Sequence, residues 1–80
     1  MRGDDGAKLG RMAGQIAAFF RHLPQDAAAA AIAGHINQFW PPGMRAALAR
    51  QLGADPSSLD PLVRLALDLV RVPTADQSRR

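Results

Sequence analysis

Proline divides this chain. Pro24, the pair Pro41-Pro42, Pro61 and Pro73 stand between stretches whose apolar residues recur with a helical period. Proline lacks a backbone N–H and its ring clashes with the preceding turn, so a helix stops before it, yet proline fits well at a helix's first position. The four intervals are each long enough for a short helix and too short for anything larger. A strict period-two alternation is found nowhere, nor is an internal repeat. The expected fold is therefore all-α: a small bundle of about four short helices with frayed termini.

The expected helices follow from the periodicity. Leu9, Met12, Ala13, Ile16, Phe19, Phe20 and Leu23 make one apolar stripe over residues 7–22, with Lys8, Arg11, Gln15 and His22 on the opposite side. Gly10 and Gly14 weaken this helix by about 1 kcal/mol each relative to alanine. Ala29, Ile32, Ala33, Ile36, Phe39 and Trp40 form the second stripe, and the alanine run 27–31 has high helix propensity. Its far side, Ala30, Gly34, Asn37 and Gln38, is small or uncharged and open to close approach. Pro41-Pro42-Gly43 makes a rigid corner. Met44, Ala47, Leu48 and Leu52 give a short third helix with Gly53 as its C-cap, followed by a loop over 54–58. Asp60-Pro61 is an N-cap with proline at the first helical position. Leu62, Val63, Leu65, Ala66, Leu69 and Val70 then form the fourth helix, with Arg64 and Asp68 spaced to pair on its outer side. The domain reading is a flexible N-terminus at 1–6, one helical domain at 7–73 and a disordered polar tail at 74–80.

A domain of 80 residues buries only about 60% of the surface its unfolded chain exposes, so it needs support from a disulfide, a metal or a partner. The chain has no cysteine, which removes disulfides, iron–sulfur ligation and cysteine-based zinc sites. Its two histidines, His22 and His35, share no metal-binding spacing and stand near no nucleophile or carboxylate that would make a catalytic set. Asp4, Asp26 and Asp60 lie near expected helix starts, where capping explains them better than metal binding. A partner is the support that remains, and no residue is assigned to catalysis, to a cofactor or to a metal.

Nine arginines, one lysine and seven aspartates give a net charge of +3. Arg11, Arg21, Arg45, Arg50, Arg64 and Arg71 are spread over all four expected helices, with no dense basic stripe and no interleaved aromatics. A small basic helical nucleic-acid-binding protein is thus the alternative rather than the leading reading. No apolar run approaches the length of a membrane span and no signal sequence is evident, so the chain is expected to be soluble and cytoplasmic, with homo-oligomers open to it in isolation. The segment from Phe39 to Arg45 is the most distinctive. Trp, Met and Arg are enriched at interface centres, and a core this small is expected to leave Trp40 incompletely covered. Trp40, Met44 and Arg45, with Phe39, His35 and Arg11, are the expected partner-binding residues. Arg45 has no expected role in the core.

Three stretches together resemble the delta subunit of bacterial NAD-dependent formate dehydrogenase. They are Lys8-Leu9 with Arg11-Met12-Ala13, Gln15-Ile16 and Phe19-Phe20; Ile32-Ala33 with His35-Ile36, Phe39-Trp40 and Met44-Arg45; and Leu59-Asp60-Pro61-Leu62-Val63 with Ala66-Leu67. They span roughly residues 8–70. Gly10 and Gly14 depart from the family pattern, and Pro41, Pro42 and Gly43 stand where relatives have an Asp-Pro-Arg corner. The resemblance implies a non-catalytic accessory subunit of a complex that oxidises formate and reduces NAD. It also implies that the molybdenum- or tungsten-pterin, the iron–sulfur clusters, the FMN and the NAD belong to other subunits. The implied partner is the large catalytic subunit, whose assembly, maturation or stability this chain would support.

Overall fold

The computed structural model describes residues 2–72, with side chains from Gly6 onward. Four α-helices follow in order: α1 (Arg2–Phe20), α2 (Gln25–Phe39), α3 (Pro42–Ala54) and α4 (Pro61–Leu67), with a single 3₁₀ turn at Pro56–Ser58 before α4. Among the described residues there is no strand, which bears out the all-α expectation. No helix among them is long and apolar enough to cross a membrane. The polar tail expected at 74–80 lies outside what is described, and capping by Asp4 or Asp5 is corrected, since α1 already begins at Arg2 and both residues stand inside it.

Proline sets the boundaries much as its chemistry requires. Pro24 is the N-cap of α2, Pro41 and Pro42 are the N-cap and first residue of α3, and Asp60 and Pro61 open α4. Several ends differ from expectation. α1 begins upstream of Ala7 and stops at Phe20, not His22. Gly53 is not a left-handed cap: it lies inside α3, whose C-cap is Asp55, and among the described residues no glycine has positive φ. Residues 56–58 are a 3₁₀ turn rather than open loop. α4 is one turn shorter than its apolar pattern, closing at Leu67 into a turn that carries Leu69 outward.

α2 is the central element, packed chiefly against α4, while α1 lies across α3 and α2. The core takes Ala13 and Ala17 from α1, Ala28, Ala29, Ile32, Ala33 and Ile36 from α2, Leu48 from α3, and Leu59, Leu62, Val63, Ala66, Leu67 and Val70 from the last third of the chain. Six of these are alanines, which let helices approach closely but each remove little apolar surface from water. Trp40 is the one large ring in the cluster, and it is only 6% exposed. The expectation that this small core cannot cover it is corrected. Six small alanines in the same cluster leave room in it for one large side chain.

Gly10 has a packing reason that its low helix propensity concealed. It is buried, and a Cβ there would stand 2.8 Å from Leu59 Cδ2. The glycine lets α1 seat against the loop that leads into α4. Gly14 has nothing within 4 Å of its Cβ position and carries only the propensity cost.

Candidate partner-binding surface

The adjacent residues Phe39 and Trp40 end α2 in opposite ways. Trp40 turns into the core, while Phe39 is 64% exposed and packs against His35, one helical turn earlier, with ring centroids 4.9 Å apart. The pair Phe19-Phe20 on α1 divides similarly. Phe20 packs on the core, and Phe19 is 76% exposed, edge-on to its neighbour. Consecutive residues on a helix point about 100° apart, so of two adjacent aromatics only one can face the core. Two phenylalanines are thereby left in solvent on helices that pack together.

Two clefts run along one side of α1, and Phe19 lines one of them. One cleft, of about 390 Å³, lies between α1 and α3 and is lined by Lys8, Leu9, Met12, Gly43, Met44 and Ala47. The other, of about 260 Å³, lies between α1 and α2 and is lined by Gln15, Ile16, Phe19, Phe20 and His35. Met12 and Ile16 are one turn apart on α1 and join the two. Of the expected partner-binding residues, Met44 and His35 therefore line clefts, Phe39 stands exposed beside His35, and Arg11 is exposed on α1. Phe19, Met12 and Ile16 were assigned only to the core stripe of the first helix. Phe19 and Met12 are in fact exposed and Ile16 is half-buried.

Arg45 is used by the fold. Its Nε donates to the Arg71 carbonyl at 2.7 Å and its Nη1 to the Trp40 carbonyl at 2.8 Å, with a longer contact to the Asn37 carbonyl. Asn37 completes the arrangement: its Nδ2 donates to the Leu69 carbonyl, and its Oδ1 accepts from the Arg71 N–H. The last turn of a helix has carbonyls with no partner inside the helix, and a cation there also complements the helix dipole. Arg45 thus caps α2 from the first turn of α3, and together with Asn37 it fastens the segment after α4. The expectation that Arg45 has no structural role is corrected, and Asn37 does not belong to an open small-residue side.

Asp60 joins the other polar cluster. It caps α4 by accepting from the Leu62 N–H at 2.9 Å, and its second oxygen accepts from Arg21 at 2.6 Å. Burial alone raises its pKa. The Arg21 and Leu62 hydrogen bonds and the charges of Arg21 and Arg64 outweigh that and leave the carboxyl below its ordinary value. Arg64 donates to the Pro56 carbonyl and does not pair with Asp68 as its spacing suggests, because the 3₁₀ turn brings a carbonyl within reach. Three of the six arginines weighed for nucleic-acid contact, Arg21, Arg45 and Arg64, are therefore engaged within the domain. His22 is exposed, and among the described residues no group of three His, Asp or Glu side chains could hold a metal.

Residues 8–67 match the family model described as NADH-dependent formate dehydrogenase delta subunit FdsD. The chain belongs to this delta-subunit family. Neither a curated protein nor a solved structure matches it. The family's name makes the chain a subunit of a formate dehydrogenase complex. The matched region starts at Lys8, at the rim of the first cleft, and ends at Leu67, the last residue of α4, so it includes most of the helix packing described above but not Val70 or the segment that Asn37 and Arg45 fasten. The chain has no cysteine and so offers no thiolate ligand to an iron–sulfur cluster.

Proposed function

We propose that this delta subunit is a non-catalytic accessory chain of a cytoplasmic NAD-dependent formate dehydrogenase. In this reading it binds the large catalytic subunit, which carries the molybdenum- or tungsten-pterin, and supports that subunit's assembly, maturation or stability. The iron–sulfur clusters, FMN and NAD site belong to the other chains of the complex. The observation that carries the reading is the apolar side of α1, with Met12 and Phe19 exposed and Phe39 beside it across His35. An 80-residue domain has no stability to spare for large rings left in water, whereas aromatic and methionine side chains at a surface are what a protein partner buries. Of the six residues expected to bind, Met44, Phe39, His35 and Arg11 present surface, and Trp40 and Arg45 hold the corner that positions it.

The test is co-expression of a tagged delta subunit with the complete complex, followed by purification and metal analysis of the catalytic subunit. The expected result is co-purification, together with lower pterin metal content or a lower yield of the catalytic subunit when the delta subunit is deleted. A catalytic subunit that neither binds the chain nor loses metal, yield or activity without it would refute the reading.

A further inference from the structure

The stretch after α4 is held to the helices by side chains. α4 closes at Leu67, and the next three N–H groups turn to carbonyls three residues back: Asp68 to Leu65 at 3.2 Å, Leu69 to Ala66 at 2.8 Å and Val70 to Leu67 at 3.3 Å. Bonds of this 3₁₀ type are less well aligned than those of an α-helix. Among the described residues, Arg71 and Val72 make no backbone–backbone bond at all.

Two residues of the preceding helices supply what is missing. Asn37 on α2 spans the backbone of the segment: its Nδ2 donates to the Leu69 carbonyl at 3.2 Å, and its Oδ1 accepts from the Arg71 N–H at 2.7 Å. Arg45 on α3 donates through Nε to the Arg71 carbonyl at 2.7 Å. All three bonds are exposed. Val70 is buried in the core and Val72 is half-buried against it, while Asp68, Leu69 and Arg71 face water. One buried valine is a slight anchor beside α2, which places five residues in the core. A segment with few buried apolar contacts and solvent-exposed hydrogen bonds opens at much lower cost than the whole domain unfolds.

We propose that residues 68–72 form a latch, which opens and closes as a unit on a helical domain that stays folded. The 3₁₀ turn after Leu67 is its hinge. Asn37 is its keeper, since both bonds of that side chain go to the segment. Arg45 couples the latch to the α2–α3 corner, because the guanidinium that holds the Arg71 carbonyl also holds the Trp40 carbonyl, through Nη1 at 2.8 Å. The closed latch therefore fixes the fork of Arg45 at the end of α2. The open latch leaves the Asn37 amide and Arg45 Nε to water and uncovers the seat of Val70.

Native-state hydrogen exchange followed by NMR on the full free chain tests the latch, in wild type and in Asn37→Ala, at a series of low urea concentrations. In the wild type, the Val70 and Arg71 amides are expected to exchange at least about tenfold faster than those of Ile32 and Leu48, after correction for intrinsic rates. Their exchange should also depend less on urea, because opening a latch exposes less surface than unfolding the domain. Asn37→Ala should keep the helical circular-dichroism spectrum and speed exchange at Val70 by about tenfold. Val70 is the decisive probe. Its own acceptor, the Leu67 carbonyl, is untouched by the substitution, so its amide quickens only if the segment moves as a unit. Ile32 and Leu48 should change less, since alanine's higher helix propensity on α2 offsets part of the loss. Wild-type Val70 and Arg71 amides that exchange with the same free energy and urea dependence as Ile32 and Leu48 would overturn the latch, because the segment then leaves only when the domain unfolds. So would amides with no protection at all, which would mean that the segment is not closed in solution. Asn37→Ala that quickens Arg71 alone overturns the unit, and loss of the helical spectrum in that variant shows that the segment is not separable from the domain.

Discussion

Replacing Arg45 by alanine tests the role of the α2–α3 corner most directly, because sequence and structure give opposite answers. As a docking arginine with no role in the core, it could be removed without loss of stability. In the structure its guanidinium donates short hydrogen bonds to the Trp40 and Arg71 carbonyls and places a cation at the end of α2. Hydrogen bonds from a charged donor contribute about 1.5–3 kcal/mol when well made. The bond to Arg71 is exposed and the one to Trp40 part-buried, so water replaces part of what is lost, and the whole substitution should cost about 2 kcal/mol. For a domain of this size 1 kcal/mol moves the melting temperature by about 4–8 °C, so the expected fall is about 8–16 °C. Arg45→Lys keeps the charge but cannot fork to both carbonyls, and should lie between the two. The assay is a thermal melt by far-ultraviolet circular dichroism, with urea unfolding to give the free energy. An Arg45→Ala protein that melts within about 2 °C of wild type would show that the corner does not depend on this arginine. A second readout separates fold from docking. At a temperature where the variant is still folded, Arg45→Ala should join the complex as the wild type does, since the guanidinium is already engaged by carbonyls of its own chain.

Gly14→Ala should stabilise the free chain by about 1 kcal/mol, since its Cβ meets nothing, whereas Gly10→Ala should fall short of that gain because Leu59 must move; paired chemical denaturation measures the difference. Trp40→Ala should cost about 3–5 kcal/mol, enough to leave a domain of this size largely unfolded at 37 °C, while the neighbouring Phe39→Ala should stay within about 0.5 kcal/mol of wild type; the helical circular-dichroism signal separates them. Asp60 has a depressed folded-state pKa, so its contribution is present above the ordinary carboxylate value near 4 and is lost as pH falls through its folded value. Stability measured from pH 6 downward should therefore decline below about pH 4, and Asp60→Asn should flatten that part of the profile; an unchanged slope would show that the Arg21–Asp60 pair is not its source.

The four helices, their order and most of their starts were written in the chain itself. Proline restricts its own φ and removes its own N–H wherever it stands, so Pro24, Pro41-Pro42 and Pro61 punctuate the fold without help from any distant residue. The Asp60 cap is equally local, because a carboxylate reaches the amide two residues on. The delta-subunit resemblance was legible for a similar reason: it resides in short ordered blocks, and the family match over residues 8–67 agrees with it. What periodicity could not do was assign individual residues within an apolar stripe. It put Phe19, Phe39, Leu65 and Leu69 in the core, where the structure leaves them in water, and it missed buried Leu67. A stripe gives the direction of the core, but how wide a strip of each helix is covered depends on where its neighbours lie. The same limit hid Gly10, whose value lies in the approach of Leu59 from 49 residues away, and Arg45, whose acceptors include a carbonyl 26 residues further on. Such contacts carry no local signature. They exist only once α2, α3 and the segment after α4 have come together, and it is this packing that turns a docking candidate inward and leaves the apolar side of α1 open to a partner.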